Sequence, residues 1–162
     1  MPDPGRSIRA VGEADVARLA RLIRDLAEYE KLTHLVVGTE EMLRAELFGE
    51  RPVIEAALAC EGDRAVGFAL WFHNYSTFLA RRGMWLEDLF VEPEFRGRGH
   101  GLALLRHCAR LAVSRGCGRF EWSVLDWNAP SIAFYRAAGA EVLPDWKICR
   151  MTGEALARFA AA

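Results

Sequence analysis

The segment Leu89-Phe90-Val91-Glu92-Pro93-Glu94-Phe95-Arg96-Gly97-Arg98-Gly99-His100-Gly101 constrains this chain more than any other. An extended apolar run, Met84–Val91, is ended by Pro93 and enters a loop with glycines at three alternate positions. A helical pattern follows directly, with Leu102, Leu105, Ala109 and Ala112 recurring between Gly99 and about Ser114. Glycines let successive backbone N–H groups point into one concavity, and a helix N-terminus adds about half a positive charge. Together they make an anion site suited to a pyrophosphate. Arg96 and Arg98 add side-chain charge at the same place. A turn that binds nothing would be an expensive use of three glycines, because they weaken an otherwise good helix start. Spacing excludes other phosphate loops. A Walker A loop needs Gly-Lys followed by Ser or Thr, and a dinucleotide fingerprint needs a third glycine where Leu102 stands. The pattern that fits is R-x-x-G-x-G, met by Arg96, Gly99 and Gly101.

The 162 residues suit one domain spanning 1–162, and 52% apolar with 27% charged residues is a globular composition. A net charge of -1 argues against nucleic acid as a partner, since phosphate-backbone binding needs a basic surplus. Cys60, Cys108, Cys117 and Cys149 form no C-x-x-C pair, so they read as free thiols of a reducing cytosol. His34, His73, His100 and His107 lack ligand spacing, so no metal is expected, and His107 is expected at the surface. No apolar run nears the roughly 20 residues that span a bilayer, and the first residues lack a signal-peptide core. The expectation is a cytoplasmic protein with no membrane partner.

Residues 1–6 read as frayed and Ser7–Val11 as a strand. Val16, Leu19, Ala20, Ile23, Leu26 and Ala27 mark a helix from Glu13 to about Glu30, and Thr39 opens a second, shorter one closed by Gly49 and Pro52. Val53–Cys60 and Arg64–Phe72 flank the turn Glu61-Gly62-Asp63 as a hairpin. After Met84–Val91 and the helix from Gly99 come a strand Arg119–Leu125, a helix Ala129–Ala138 closed by Gly139, and a final extended segment Glu141–Met151. The order β-α-α-β-β-β-α-β-α-β describes a mixed α/β (α+β) domain with a largely antiparallel sheet flanked by helices.

A second constellation follows the strand Arg119–Leu125. Asn128 suits a helix N-cap and Pro130 the first turn. Tyr135 lies two turns beyond Asn128, so both can face one cleft. On local grounds this is either a plain capped helix with a packing aromatic or a site that places a phenol beside a leaving group.

Four motifs together resemble the GNAT acetyltransferase superfamily, and within it the diamine acetyltransferases of the spermidine/spermine and thialysine type. They are Leu26-Ala27-Glu28-Tyr29-Glu30, Leu86-Glu87-Asp88-Leu89-Phe90-Val91, Arg96-Gly97-Arg98-Gly99-His100-Gly101, and Asp126-Trp127-Asn128-Ala129-Pro130-Ser131-Ile132-Ala133-Phe134-Tyr135. The resemblance implies a twisted GNAT-type sheet and acetyl-coenzyme A as co-substrate. It implies that Leu89, Phe90, Val91, the loop Arg96, Gly97, Arg98, Gly99, His100, Gly101 and Leu102, and Asn128, Ala129, Pro130 and Ser131 bind the cofactor. It also implies a backbone N–H among Leu89–Val91 for the oxyanion, Tyr135 as acid to the thiolate, and Tyr29 and Glu30 in the amine pocket. An alkylamine is protonated at neutral pH and must lose a proton before attacking. Glu87 is the candidate base, through a water; otherwise it is a carboxylate paired with Arg81 or Arg82. Asp88 lines the amine site but alternates to the other strand face, so the two acids are expected to have separate roles.

Spermidine-type enzymes carry an Asp in the loop before the Glu-Asp strand, where this chain has Asn74-Tyr75-Ser76-Thr77. That departure favours a shorter, thialysine-like amine, whose carboxylate Arg81 and Arg82 could meet. The family resemblance also implies a homodimer. Two other readings stay open: acetylation of protein lysines or N-termini, and a non-catalytic acyl-coenzyme A sensor, which would not need Glu87 and Tyr135 together.

Overall fold

A central strand of thirteen residues organises the sheet. The computed structural model describes residues 5–161, so the first four residues of the segment expected to be frayed lie outside the described residues. In chain order the elements are β1 (Arg6–Ala10), α1 (Val16–Glu30), α2 (Glu40–Phe48), β2 (Glu55–Glu61), β3 (Arg64–Ser76), β4 (Arg81–Val91), α3 (His100–Ser114), β5 (Phe120–Glu121), α4 (Ala129–Ala137) and α5 (Gly153–Ala160). The strands pair in that same order, β1-β2-β3-β4-β5. The first three pairings are antiparallel and β4–β5 is parallel. This is the mixed, mostly antiparallel sheet with helices that the sequence predicts.

Burial explains why β3 lies in the middle. Ala65 to Trp71 are buried without alternation, as a strand covered on both faces must be. In β2, Ala56, Leu58 and Cys60 join Leu19, Leu22 and Leu26 of α1, Leu47 of α2 and Phe68 of β3 in one core. Ala57 and Ala59 alternate to the opposite face and are fully buried as well. Leu104, Leu105, Cys108 and Ala112 of α3 are also buried. The start of α1 is fixed by Asp15, whose carboxylate accepts from Gly12 N–H (2.8 Å) and pairs with Arg9 (2.6 Å). Thr39 caps α2 through Met42 N–H, as its sequence position predicts.

The chain divides into two compact units, one through Ser123 and one from Val124. The first carries the sheet and α1–α3, the second α4 and α5. Two expected strands differ. The expected Arg119–Leu125 strand pairs only at Phe120 and Glu121, opposite Met84 and Trp85. Just past those partners β4 carries a bulge at Glu87, where an extra residue locally bends and twists the strand. Glu141–Met151 forms no ladder among the described residues, and the chain ends instead in α5. The sequence held a signal for that helix in Thr152 at its N-cap, Glu154 in its first turn and the i,i+4 pair Glu154–Arg158 (3.3 Å). No helix among the described residues is long and apolar enough to cross a membrane.

Gly67 marks a close approach of β3 to the backbone of β4. A Cβ there would lie 2.5 Å from Phe90 O and 3.2 Å from Val91 Cα, both backbone atoms. Gly67→Ala should therefore cost about 1–3 kcal/mol of stability through forced strand separation. Urea unfolding checks this: a midpoint equal to wild type would show that the two strands part freely.

Candidate active site

The bulge in β4 decides where the two adjacent acids stand. Leu70 of β3 lies opposite Asp88 and Trp71 opposite Leu86, which leaves Glu87 as the extra residue. Glu87 is exposed, and its Oε2 accepts from Trp85 Nε1–H at 3.0 Å. Asp88 is half-buried, and its carboxyl is pushed up to about 7, first by burial and then by the charges of Glu87 and Glu30. Glu30, at the end of α1, is itself raised by burial. The extra residue interrupts the strict alternation from which separate faces for Glu87 and Asp88 were expected, and Glu87 is the more exposed of the two. Three carboxylates from α1 and β4 share one electrostatic environment, which favours a cation.

Past Trp85, β4 runs on through Leu89, Phe90 and Val91 without a β5 partner on that edge. Phe90 and Val91 are buried, and Leu89 is half-buried. Such an edge leaves backbone groups of β4 open to a guest. The loop that follows turns at Gly97 (φ +76) and Gly99 (φ +84), both in the left-handed region. A Cβ on Gly97 would touch nothing, so the requirement there is conformational. The first intrahelical bond of α3 runs from Ala103 N–H to Gly99 O (3.0 Å). The amides of His100, Gly101 and Leu102 thus precede the ladder and lack intrahelical partners. This loop suits an anion.

Its arginines are held elsewhere. Arg98 pairs with Glu61 (2.8 Å), donates to Glu94 O (3.1 Å) and stacks over Phe95. Arg96 donates from Nε to Val91 O (2.9 Å) and lies over the rings of Tyr29 and Phe90. His100 is buried, with Nε2 3.3 Å from Glu61 Oε2. Arg6 of β1 donates to Arg98 O. Glu61 and Arg6 are therefore parts of the loop that the sequence does not disclose, because Glu61 reads only as a hairpin turn. His107 is half-buried edge-on to Trp71 (6.0 Å) rather than at the surface, because α3 turns that face inward. Among the described residues no group of three or more His, Cys, Asp or Glu is arranged to hold a metal ion.

In the second unit, Asn128 and Tyr135 are both buried. Asn128 Oδ1 accepts from Ser131 N–H (3.3 Å), so Asn128, Ala129, Pro130 and Ser131 form the capped first turn of α4. Tyr135 lies two turns along, its ring 5.3 Å from that of Phe134. Its carbonyl accepts from Ala138 and Ala140, which closes the helix before Gly139.

The description "Acetyltransferase (GNAT) family" matches residues 20–140. The chain is 38% identical to a thialysine N-epsilon-acetyltransferase of Mus musculus, over 94% of this chain and 96% of the relative. It is 34% identical to an L-ornithine N5-acetyltransferase of Arabidopsis thaliana, over 92% and 85% respectively. An integron cassette protein from the mobile metagenome of V. cholerae shares its fold with a TM-score of 0.82 at 26% identity, covering 99% of this chain and all of that one. With a match over most of its length and two such relatives, the chain belongs to the GNAT acetyltransferase family.

Proposed function

We propose that this acetyltransferase moves the acetyl group of acetyl-coenzyme A onto a primary amine of a small diamine or amino-acid-like substrate, thialysine-like in preference to spermidine or spermine. The observation that carries this reading is the coupled set Glu30, Glu87 and Asp88, an anionic environment suited to an ammonium group. The similarity to thialysine and ornithine acetyltransferases supports it, as does the lack of an acid in Asn74–Thr77. Tyr29 and Glu30, from α1, and Glu87 and Asp88, from β4, form the amine site.

The residues present fit the co-substrate. Left-handed glycines and the open amides of α3 suit a pyrophosphate, and Leu89–Val91 offer a free strand edge to the pantetheine arm. Asn128, Ala129, Pro130 and Ser131, the capped first turn of α4, are part of the proposed cofactor site on the family resemblance. Acetyl-coenzyme A supplies an activated thioester carbon. Glu87 takes the proton of the ammonium through a water, and the neutral nitrogen then forms the new C–N bond as the C–S bond breaks. A backbone N–H of Leu89, Phe90 or Val91 meets the charge on the acetyl oxygen. Tyr135 gives its proton to the departing thiolate, the acetylated nitrogen sheds its second proton to solvent as the amide forms, and the phenolate regains a proton from solvent. The chain 1–162 works as one domain, and its free cysteines suit the cytoplasm. A homodimer is part of the proposal, supported by Trp146, Ile148 and Phe159 lying exposed in the second unit.

A coenzyme A release assay over thialysine, lysine, ornithine, diaminopropane, putrescine, spermidine and a lysine peptide tests the substrate. Thialysine or a short diamine should have the highest kcat/KM. Spermidine ahead by about tenfold would refute the preference, and the peptide ahead would point to a protein substrate.

Tyr135→Phe should keep acetyl-coenzyme A affinity while kcat falls by about tenfold or more, the scale of a lost general acid. Glu87→Gln should be partly rescued at high pH, where more of an amine of pKa about 10 is neutral. Wild-type kcat in the Tyr135 variant would return that residue to helix packing.

Asp88 gives a pH signature. Its folded value near 7 lies above the ordinary carboxylate range, so between about 4 and 7 the folded state holds a proton that the unfolded chain has lost. Stability should fall as pH rises through that window. The urea midpoint should be lower at pH 8 than at pH 5, and Asp88→Asn should remove this component of the difference. An identical profile for the variant would show that Asp88 titrates normally.

A further inference from the structure

Arg96 opens the R-x-x-G-x-G pattern, and its sequence position assigns it to phosphate charge. Its contacts point elsewhere. The Nε–H donates to Val91 O at 2.9 Å, which fixes the plane of the guanidinium. One neighbour of that plane is the Tyr29 ring, its centroid 4.6 Å from the guanidinium carbon, and another is the Phe90 ring at 5.6 Å. Tyr29 belongs to the last turn of α1, and Phe90 and Val91 to the end of β4. Tyr29 also packs against the hydrophobic core, and its neighbour Glu30 is the residue whose charge reaches Asp88. One side chain thus joins the helix end that carries Tyr29 and Glu30 to the strand that carries Glu87 and Asp88.

We infer that Arg96 is a positioning residue of the amine site, holding Tyr29 by a cation–π stack braced on Val91 O, and that it is not a ligand of the cofactor phosphates. This rests on the proposed amine acetylation and adds to it the residue that orients the aromatic wall. The Nε bond and the two ring contacts set the orientation of this guanidinium, while the open backbone amides at the start of α3 already offer donors to a phosphate. Lysine is a poor substitute, because the contact uses a planar face and an Nε donor together.

The test uses the full chain with the best amine of the panel and reads the KM of each substrate separately. Arg96→Gln should raise the amine KM roughly three- to tenfold, the scale of one cation–π contact, and leave the acetyl-coenzyme A KM within about twofold. Arg96→Lys should not restore the amine KM. Tyr29→Ala combined with Arg96→Gln should lose no more than Tyr29→Ala alone, because the two residues act through one contact. A rise confined to the acetyl-coenzyme A KM, or additive losses in the double variant, would overturn the inference. A second readout does not need turnover. The chain has three tyrosines, so the Tyr29 ring signals can be assigned in a tyrosine-labelled NMR spectrum by their loss in Tyr29→Phe. They should shift in Arg96→Gln, and unmoved signals would overturn the inference. A panel in which no amine is acetylated would count against the proposed function alone, and the ring signals would still decide whether Arg96 holds Tyr29.

Discussion

Strand β4 is the seam of a mixed sheet, and the rest of the site follows from where its second partner stops. On one side it pairs antiparallel with β3 along most of its length, and on the other it pairs parallel with β5 at Met84 and Trp85 only. The two ladders differ in hydrogen-bond geometry, and each edge of a strand can carry its own. The extra residue at Glu87 comes just past these two residues. Before it, β4 is an interior strand; after it, β4 keeps β3 and has one edge free. The end of the sheet at Leu89–Val91 is therefore packed beneath by core side chains yet has backbone to offer. It leads directly into the Gly97–Gly99 turn and the first amides of α3.

The same bulge sets the electrostatics. Two adjacent acids on a regular strand would point apart and titrate almost independently. Here Asp88 senses Glu87, and Glu30 reaches it from α1, in surroundings dry enough to penalise charge. The cost of charging Asp88, partly buried beside two other acids, is met by holding a proton on it. In the proposed function, an arriving ammonium would relieve that cost. Arg96 contacts Tyr29, the neighbour of Glu30, through its ring face, and bonds Val91 O through Nε.

Local pattern was enough for some of this. The glycine spacing after Val91, the cap at Thr39 and the Asn128-Ala129-Pro130 helix start are each decided by residues close in sequence, and each is found where expected. What escaped depends on partners far along the chain. The extra residue at Glu87 exists only relative to β3, so no pattern within β4 announces it. Glu61 meets Arg98 and His100 across 37 and 39 residues and reads locally as a hairpin turn. The segment Glu141–Met151 has extended character, but a strand needs a ladder, and character alone does not provide one. Arg96 is a further case: its charge is plain in the motif, but its contacts with Tyr29, Phe90 and Val91 O depend on partners that the motif does not contain.

The pairing of Glu61 with Arg98 and His100 gives the loop a built-in counter-ion. An anion that comes to the turn does not meet bare charge. It competes with a carboxylate already seated there, and binding becomes an exchange in which Arg98 changes partners while Glu61 is left to the buried imidazole. The attraction available to a newcomer is the difference between two pairings, smaller than the tally of arginines implies. Weak anions at ordinary salt gain little from that exchange. The open amides of α3 belong to the same loop, so a ligand with several phosphates would find donors there besides Arg98.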